Sequence, residues 1–331
     1  MKLGVSDAGR LALAAAGVAA MIVLPRVVEL FTLVELAVFC ILAILALSLA
    51  FVWGFGGILS FGQSAFFGLG GYAYALAIAN IGESTVPILL GILVPMLFAV
   101  LLGYFMFYGR ISDVYLAVIT LTVSLIFYHL INSTSGPDYM IGKARLGGHN
   151  GIPGIPPINL PGDPAAQLDI AVVFQVSLAT LLLVYFGLRA LLASQFGRVL
   201  VAIRENELRA ELLGYDARRY KLFAFTIGAG IAGLAGVLFA TWGSFIGPSV
   251  FSIGFSAQII IWIIIGGLGT LGGAVLGTVL IQYLTTWLGE SKIADANLVL
   301  GVVFIVFVLL VPNGLVPTAR KLMSARRRVG R

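Results

Sequence analysis

The chain is dominated by long apolar runs that follow one another with only short interruptions. A helix that crosses a bilayer needs about 20 mostly apolar residues, and charged residues make up only 10% of this chain, against about 25% of a soluble domain. We therefore predict an all-α, polytopic membrane protein with about ten transmembrane helices, forming a single domain over residues 1–331. The predicted spans are 11–29, 31–53, 61–80, 86–108, 113–132, 168–192, 221–242, 255–266, 273–288 and 296–312.

The first run has some features of a secretory signal peptide, because Lys2 and Arg10 precede it. A second apolar run, 31–53, follows almost at once. In that context we favour a retained first helix over a cleaved leader.

The distribution of basic residues predicts the orientation. If the N-terminus is inside and the spans alternate, the inside segments hold sixteen of the twenty Lys and Arg residues and the outside segments four. Lys and Arg concentrate in cytoplasmic loops, so both termini are expected in the cytoplasm. The basic tail, 319–331, is expected to lie against anionic lipid. The net charge of +6 is thus explained by the bilayer and does not indicate a nucleic-acid partner.

Two connections are much longer than the others. The first, residues 133–167, falls outside and is called the outer loop; it holds six prolines and is expected to be irregular, with short helical pieces, and to contact an outside partner or form a lid. His149 within it has no second ligand at metal-binding spacing, so no metal site is expected. The second, residues 193–220, falls inside and is called the charged loop.

The charged loop and its junction with the next span hold six basic and four acidic residues between 197 and 221. Apolar positions at near-helical spacing predict a helix from Arg198 to Leu213, with Gly214 at its end and Asp216 capping a second short helix. Those apolar positions are Leu200, Ile203, Leu208, Leu212 and Leu213. The pattern fits either a helix that docks on a protein partner or a solvated connector.

Four stretches resemble the LivM-type permeases of branched-chain amino acid ABC importers, a family with relatives for urea and short-chain amides. The resemblance covers about residues 40 to 318. The stretches are FGRVLVAIRENELRAELLGYDARRYKLFAFTIGAGIAGLAGVLFA, LSLAFVWGFGGILSFGQSAFFGLGGYAYAL, IWIIIGGLGTLGGAVLGTVL and VPNGLVP.

The resemblance implies an alternating-access permease in the bacterial inner membrane, with branched-chain amino acids as cargo and urea or a short amide as the alternative. The implied partners are a second homologous permease subunit, two ATP-binding subunits and an extracytoplasmic substrate-binding protein. It also implies that the charged loop is the coupling helix that inserts into the ATP-binding subunit. The residues assigned to that contact are Arg204, Glu205, Glu207, Arg209, Glu211 and Gly214.

No cofactor is expected in this chain, and no enzyme activity, because it lacks an ATP-binding Gly-x4-Gly-Lys-Ser/Thr motif and a hydrolase constellation. The candidates for lining the substrate path are Gln63, Ser64 and Gln258. The glycines around Gln63 favour close helix packing over a substrate contact. The break Gly266–Gly273 fits either a turn or a broken helix. An ion-coupled transporter or channel is the alternative of another class, with Glu35 as the only acid well inside an apolar run.

Overall fold

The computed structural model describes residues 7–136, 138–160 and 163–291, with a few positions beyond. Eleven α-helices dominate these residues. In chain order they are α1 (Asp7–Val27), α2 (Leu30–Leu49), α3 (Gln63–Ile81), α4 (Thr85–Tyr108), α5 (Asp113–Ser133), α6 (Ile170–Ala193), α7 (Gln195–Glu205), α8 (Glu207–Leu212), α9 (Ala217–Trp242), α10 (Ile253–Gly266) and α11 (Leu271–Ser291).

Seven of the described helices are long and apolar enough to cross a membrane, and two shorter apolar helices, Ala12–Val27 and Ile253–Gly266, accompany them. Nine of the ten predicted spans therefore correspond to helices. The tenth, 296–312, and the basic tail, 319–331, fall almost entirely outside the described residues.

The core forms around α2, α3 and α9. Every residue from 41 to 52 is buried, as expected for a helix that is apolar on all sides. At its C-terminal end α2 continues as a π-helix, Ala50–Phe55. A π-helix inside an α-helix often marks a functional position.

Glycines set how closely α3 and α9 approach. A Cβ atom added to Gly70 would overlap the backbone of Gly233, and one added to Gly236 would overlap the backbone of Phe67 and approach that of Gly71. Small residues let membrane helices approach backbone to backbone. The packing interpretation of the glycine-rich third span is therefore confirmed.

The helix connections gather at two opposite ends of the molecule. One end combines the residues after the π-helix with the charged loop and the turn 267–270. At the other end Ser84 and the outer loop exchange hydrogen bonds with each other. The connections alternate between the two ends in the described part of the chain.

The break in the late apolar region is a turn. Gly266 lies against Gly273, and Gly277 lies against Trp262, so α10 and α11 run side by side in opposite directions. Residues 267–270 connect them, with Gly267 and Gly269 at positive φ. Of the two alternatives for Gly266–Gly273, the turn is the one observed.

The outer loop contains more structure than its composition predicts. It holds a 3₁₀ helix, Gly148–Asn150, and short strands that pair antiparallel as β1 with β2 and β4 with β5, while β3 pairs with β6 beyond α9. Proline and glycine do not prevent two-residue bridges, which need few backbone donors. The strands are β1 (Met140–Ile141), β2 (Ala144–Arg145), β3 (Ile152–Pro153), β4 (Asn159–Leu160), β5 (Asp163–Gln167) and β6 (Phe245–Ile246).

Candidate functional site

The charged loop folds as two helices, α7 and α8, with a bend at Asn206. Asn206 has extended backbone angles, φ −161° and ψ 100°, and its side-chain oxygen accepts a hydrogen bond from the N–H of Arg209 at 2.8 Å. The prediction of one continuous helix from Arg198 to Leu213 is therefore wrong. Asparagine bonds readily to nearby backbone and so starts a new helix here.

The end of the loop follows the predicted capping pattern. Gly214 has a φ of +89°, a conformation that glycine adopts at little cost. Asp216 accepts a hydrogen bond from the N–H of Arg219 at 3.4 Å and caps α9. The helix that it begins is the long spanning helix, so the prediction of a second short helix is wrong. No breaker separates Ala217 from the apolar run that follows.

The apolar positions of the loop divide into two groups at the bend. Leu200 and Ile203 on α7 are buried. Leu208, Leu212 and Leu213, on α8 and just after it, are 68%, 81% and 73% exposed. The helical spacing joined them into one stripe because a sequence pattern does not show the bend.

These three leucines belong to the apolar positions predicted from the sequence, but they were not among the residues assigned to the ATPase contact. We call Leu208, Leu212 and Leu213 the leucine patch. Apolar side chains clustered on a charged surface are typical of protein contacts. The apolar spacing continues through Asn206 and gave no signal that separates these leucines from Leu200 and Ile203.

Five of the six residues assigned to ATPase contact lie on the exposed surface: Glu205, Glu207, Arg209, Glu211 and Gly214. The carboxylate of Glu207 accepts from Lys221 Nζ at 2.6 Å, an ion pair between α8 and α9. This pair holds α8 against the first turn of the spanning helix.

Arg204 is placed differently from the other five. Its guanidinium donates to the carbonyl oxygen of Gly54, at the end of the π-helix, and forms an ion pair with Glu205. Its side chain is only 27% exposed. Arg204 thus joins the loop to the helical core.

A cleft of about 460 Å³ opens beside α8. Both signs of charge line it, and three of its lining residues come from α8. Its size is suited to a side chain or small group of a partner. The polar and apolar residues that shape it are Arg110, Ser112, Glu207, Leu208, Glu211, Arg218 and Lys221.

Two of the three substrate-path candidates are sealed between helices of this subunit. Gln63, 1% exposed, donates from Nε2 to Ser48 Oγ at 2.8 Å and to the carbonyl of Gly228 at 3.2 Å. Ser64 is fully buried, and its hydroxyl lies 2.6 Å from Ser256 Oγ. These side chains link α3 to α2, α9 and α10.

Gln258, the third candidate, lies on an exposed face of α10, together with Gly254 and Ala257. A polar side chain at membrane depth usually faces a cavity or another protein. Of the three candidates, Gln258 is the one that lies on an exposed surface of the described residues.

A second cavity, of about 500 Å³, lies near the end that carries the outer loop. Its walls are almost entirely apolar and come from α3, α4, α5 and the outer loop. The hydroxyl of Tyr72 is buried there without a hydrogen-bond partner. Representative wall residues are Leu69, Leu76, Ala77, Phe127, Leu130 and Ile131.

No cluster of three or more His, Cys, Asp or Glu side chains able to hold a metal occurs in the described residues. His149 Nδ1 lies 3.2 Å from Ser135 Oγ.

A family model described as the permease component of the branched-chain amino acid transport system matches residues 32–311. The chain belongs to this family. A high-affinity branched-chain amino acid transport system permease protein LivM of Salmonella typhimurium is 30% identical, with 84% of this permease and 68% of that protein covered. The LivM protein of Escherichia coli is 29% identical over the same shares.

A shorter match connects the permease to another importer. The autoinducer 2 import system permease protein LsrC of Escherichia coli is 34% identical over 119 residues, 34% of each chain. No solved structure matches the permease significantly.

Proposed function

We propose that the permease is one membrane subunit of an ATP-driven importer for branched-chain amino acids and moves its cargo by alternating access. The observation that carries this proposal is the leucine patch beside the cleft, on a loop between two spanning helices. A surface of this kind suits a docked protein that moves with its own reaction cycle. The chain lacks an ATP-binding motif, so the ATP would be hydrolysed by two separate subunits docked there.

The other partners follow from the same family membership. A second, homologous permease subunit would complete the path, with Gln258 and its face of α10 as the side that meets it. The positive-inside pattern assigns the charged loop and both termini to the cytoplasm of a bacterial inner membrane. The outer loop would then meet the extracytoplasmic binding protein that delivers the cargo.

The apolar cavity favours aliphatic cargo over urea or a short amide. A leucine, isoleucine or valine side chain gains free energy on entering an apolar site, roughly 25 cal/mol for each Å² buried. Urea has almost no apolar surface to bury. Ala77→Phe, which would fill this cavity, is expected to lower leucine uptake and to leave ATP hydrolysis by the complex in place.

Transport by the reconstituted complex tests the proposal. Vesicles that hold the permease, its partner permease and the ATP-binding subunits are given the binding protein and labelled leucine or urea. We expect leucine uptake that requires both ATP and the binding protein, and no urea uptake. Urea uptake under these conditions would contradict branched-chain amino acids as the cargo and favour a urea or short-chain amide permease.

An ion-coupled transporter is the competing class. Glu35 lies in the second turn of α2 and is half-buried, close to the outer end of the helix. Leucine uptake driven by an ion gradient, in vesicles that contain the permease alone, would contradict the ABC proposal and favour this class.

A further inference from the structure

The junction between the charged loop and the core depends on a side chain that caps a helix from another part of the chain. The last carbonyls of a helix have no intrahelical partner. Here the N–H groups of Gly56, Gly57 and Ile58 bond to the carbonyls of Phe51, Trp53 and Val52; none of the three reaches Gly54.

The guanidinium of Arg204 supplies the missing donor to Gly54. A cation at the C-terminal end of a helix also complements the negative end of the helix dipole. Arg204 therefore acts as a C-cap for α2 and its π-helix, although it lies 150 residues away in sequence.

The same side chain contacts the backbone that follows the π-helix. Gly57 has a φ of +73°, and a Cβ atom added to it would stand 2.7 Å from Arg204 Cγ. Glycine is required here by conformation and by space. The stem of Arg204 thus lies against the chain that leads into α3.

The turn between α10 and α11 completes the junction. A Cβ atom added to Gly54 would stand 2.9 Å from the backbone nitrogen of Gly269. Gly269 itself has a φ of +80°, and a Cβ atom added to it would stand 3.8 Å from Arg204 Nη1. Three cytoplasmic-end segments therefore meet around one guanidinium: the end of α7, the end of α2 and the turn 267–270.

Arg204 lies between the exposed helix α8 and the core in the order of the chain. It lies one residue before the end of α7, immediately ahead of the bend at Asn206 where α8 begins. Displacement of α8 has two routes to the core, one through this bend and Arg204 and one through the ion pair of Glu207 with Lys221 on α9. The ion pair with Glu205 keeps the guanidinium beside the bend.

We propose that Arg204 is a positioning residue that transmits displacement of α8 to the π-helix of α2 and to the turn 267–270. It couples the docked ATP-binding subunit to the inner end of the core and does not itself bind that subunit. This inference rests on the proposed function. The planar guanidinium of Arg204, with its five donors, suits a fixed contact better than a lysine ammonium does.

The test measures uptake and ATP hydrolysis together in the reconstituted complex. For Arg204→Gln we expect the ATP-binding subunits to co-purify as in the wild type, and the leucine imported per ATP to fall about tenfold. Arg204→Lys is expected to recover part of the ratio. Arg209→Gln, at an exposed position of α8 that is predicted to contact the ATP-binding subunit, is the matched comparison: it should lower co-purification of those subunits and leave the leucine imported per ATP unchanged in the complexes that remain.

A second variant approaches the junction from its other side. Gly57→Ala places a methyl group against Arg204 and is expected to uncouple uptake from hydrolysis without removing any charge. If Arg204→Gln does not assemble, Arg204→Lys and Gly57→Ala decide the question by the same ratio.

The outcomes separate the two levels of the proposal. Loss of ATP-binding subunits from Arg204→Gln would make Arg204 a docking residue and overturn the inference. An unchanged ratio of leucine to ATP in the variants would overturn it as well. Absence of ATP-dependent leucine uptake in the wild-type complex would instead contradict the proposed function.

Discussion

The outer loop and the charged loop lie at opposite ends of the permease and are attached to it in opposite ways. Asn159 in the outer loop exchanges hydrogen bonds with Ser84: its Oδ1 accepts from the Ser84 N–H at 2.9 Å and its own N–H donates to Ser84 Oγ at 3.0 Å. Asn80 adds two more bonds, to the backbone of Ile141 and Lys143. The charged loop instead presents three exposed leucines and bends at Asn206.

This difference separates a fixed surface from a surface that transmits movement. Buried polar groups with several partners resist local opening, whereas segments with few buried contacts open at low cost. The outer loop thus has the properties of a preformed platform. The charged loop has a bend, the leucine patch and two side-chain links to the core, the Arg204 contact with Gly54 and the ion pair of Glu207 with Lys221.

The largest expected effect comes from the core that both loops share. Gly70→Ala would drive a methyl group into the backbone of Gly233 and is expected to cost about 3 kcal/mol of stability. Both the outer loop and the charged loop should lose their structure together, and the yield of assembled complex measures this loss. Gly187→Ala, where nothing lies within 4 Å, is the control and should assemble normally; assembly of Gly70→Ala at wild-type yield would mean that the two helices are not packed this closely.

The next effect should be confined to one end. The double substitution Leu208→Asp and Leu212→Asp puts charge into the leucine patch and is expected to weaken docking of the ATP-binding subunits by about 2 kcal/mol or more. Co-purification of those subunits measures it. Met140→Asp changes an exposed apolar residue of the outer loop and should leave co-purification unchanged. If both variants lose the ATP-binding subunits equally, docking is not specific to the charged loop.

A smaller effect is expected at the platform. Asn159→Ala removes two side-chain hydrogen bonds, one from the Ser84 N–H and one to the Gly82 carbonyl, and leaves the buried N–H of Ser84 without its acceptor, at a cost of about 2 kcal/mol. The solubilised complex should lose activity at a lower temperature, with the ATP-binding subunits still attached. Asn150→Ala, at an exposed position of the same loop, should lose activity at the wild-type temperature. If Asn159→Ala also does so, the Asn159–Ser84 hydrogen bonds do not stabilise the outer loop.

The smallest effect tests the conformation after α8. Gly214→Ala has space, since nothing lies within 4 Å, but its φ of +89° is unfavourable for alanine by about 1 kcal/mol. We expect a several-fold loss of leucine uptake with normal assembly of the membrane subunits. Gly214→Asn should retain more activity, because asparagine tolerates this conformation; identical uptake for the two variants would show that the backbone angle is not what matters.

Most of the helical framework was predictable from the sequence because membrane spans are long and continuously apolar. The caps at Gly214 and Asp216 were predictable too, since those residue types have strong conformational preferences. The bend at Asn206 was missed because its local hydrogen bond competes with a helical pattern that continues on both sides. The paired strands of the outer loop depend on contacts between residues distant in sequence, such as Ile152 with Ile246.

The site was less predictable than the fold because one sequence pattern allows several side-chain environments. The leucines at 200 and 212 have the same chemistry, yet one is buried and the other is 81% exposed. Gln63 stays a predicted path residue on its polarity and depth, and its partners, Ser48 and Gly228, come from other helices, which the sequence does not show. The assignment of the charged residues to ATPase contact remains a prediction.

The cap on α2 also has a consequence for genetics. Arg204 bonds to a main-chain oxygen. That carbonyl is present whichever residue occupies position 54, so a substitution there cannot restore the lost bond. A selection for growth on leucine, started from an Arg204 variant, should therefore not return compensating changes at Gly54. Revertants are expected where a new donor can reach the same carbonyl, above all in the turn 267–270.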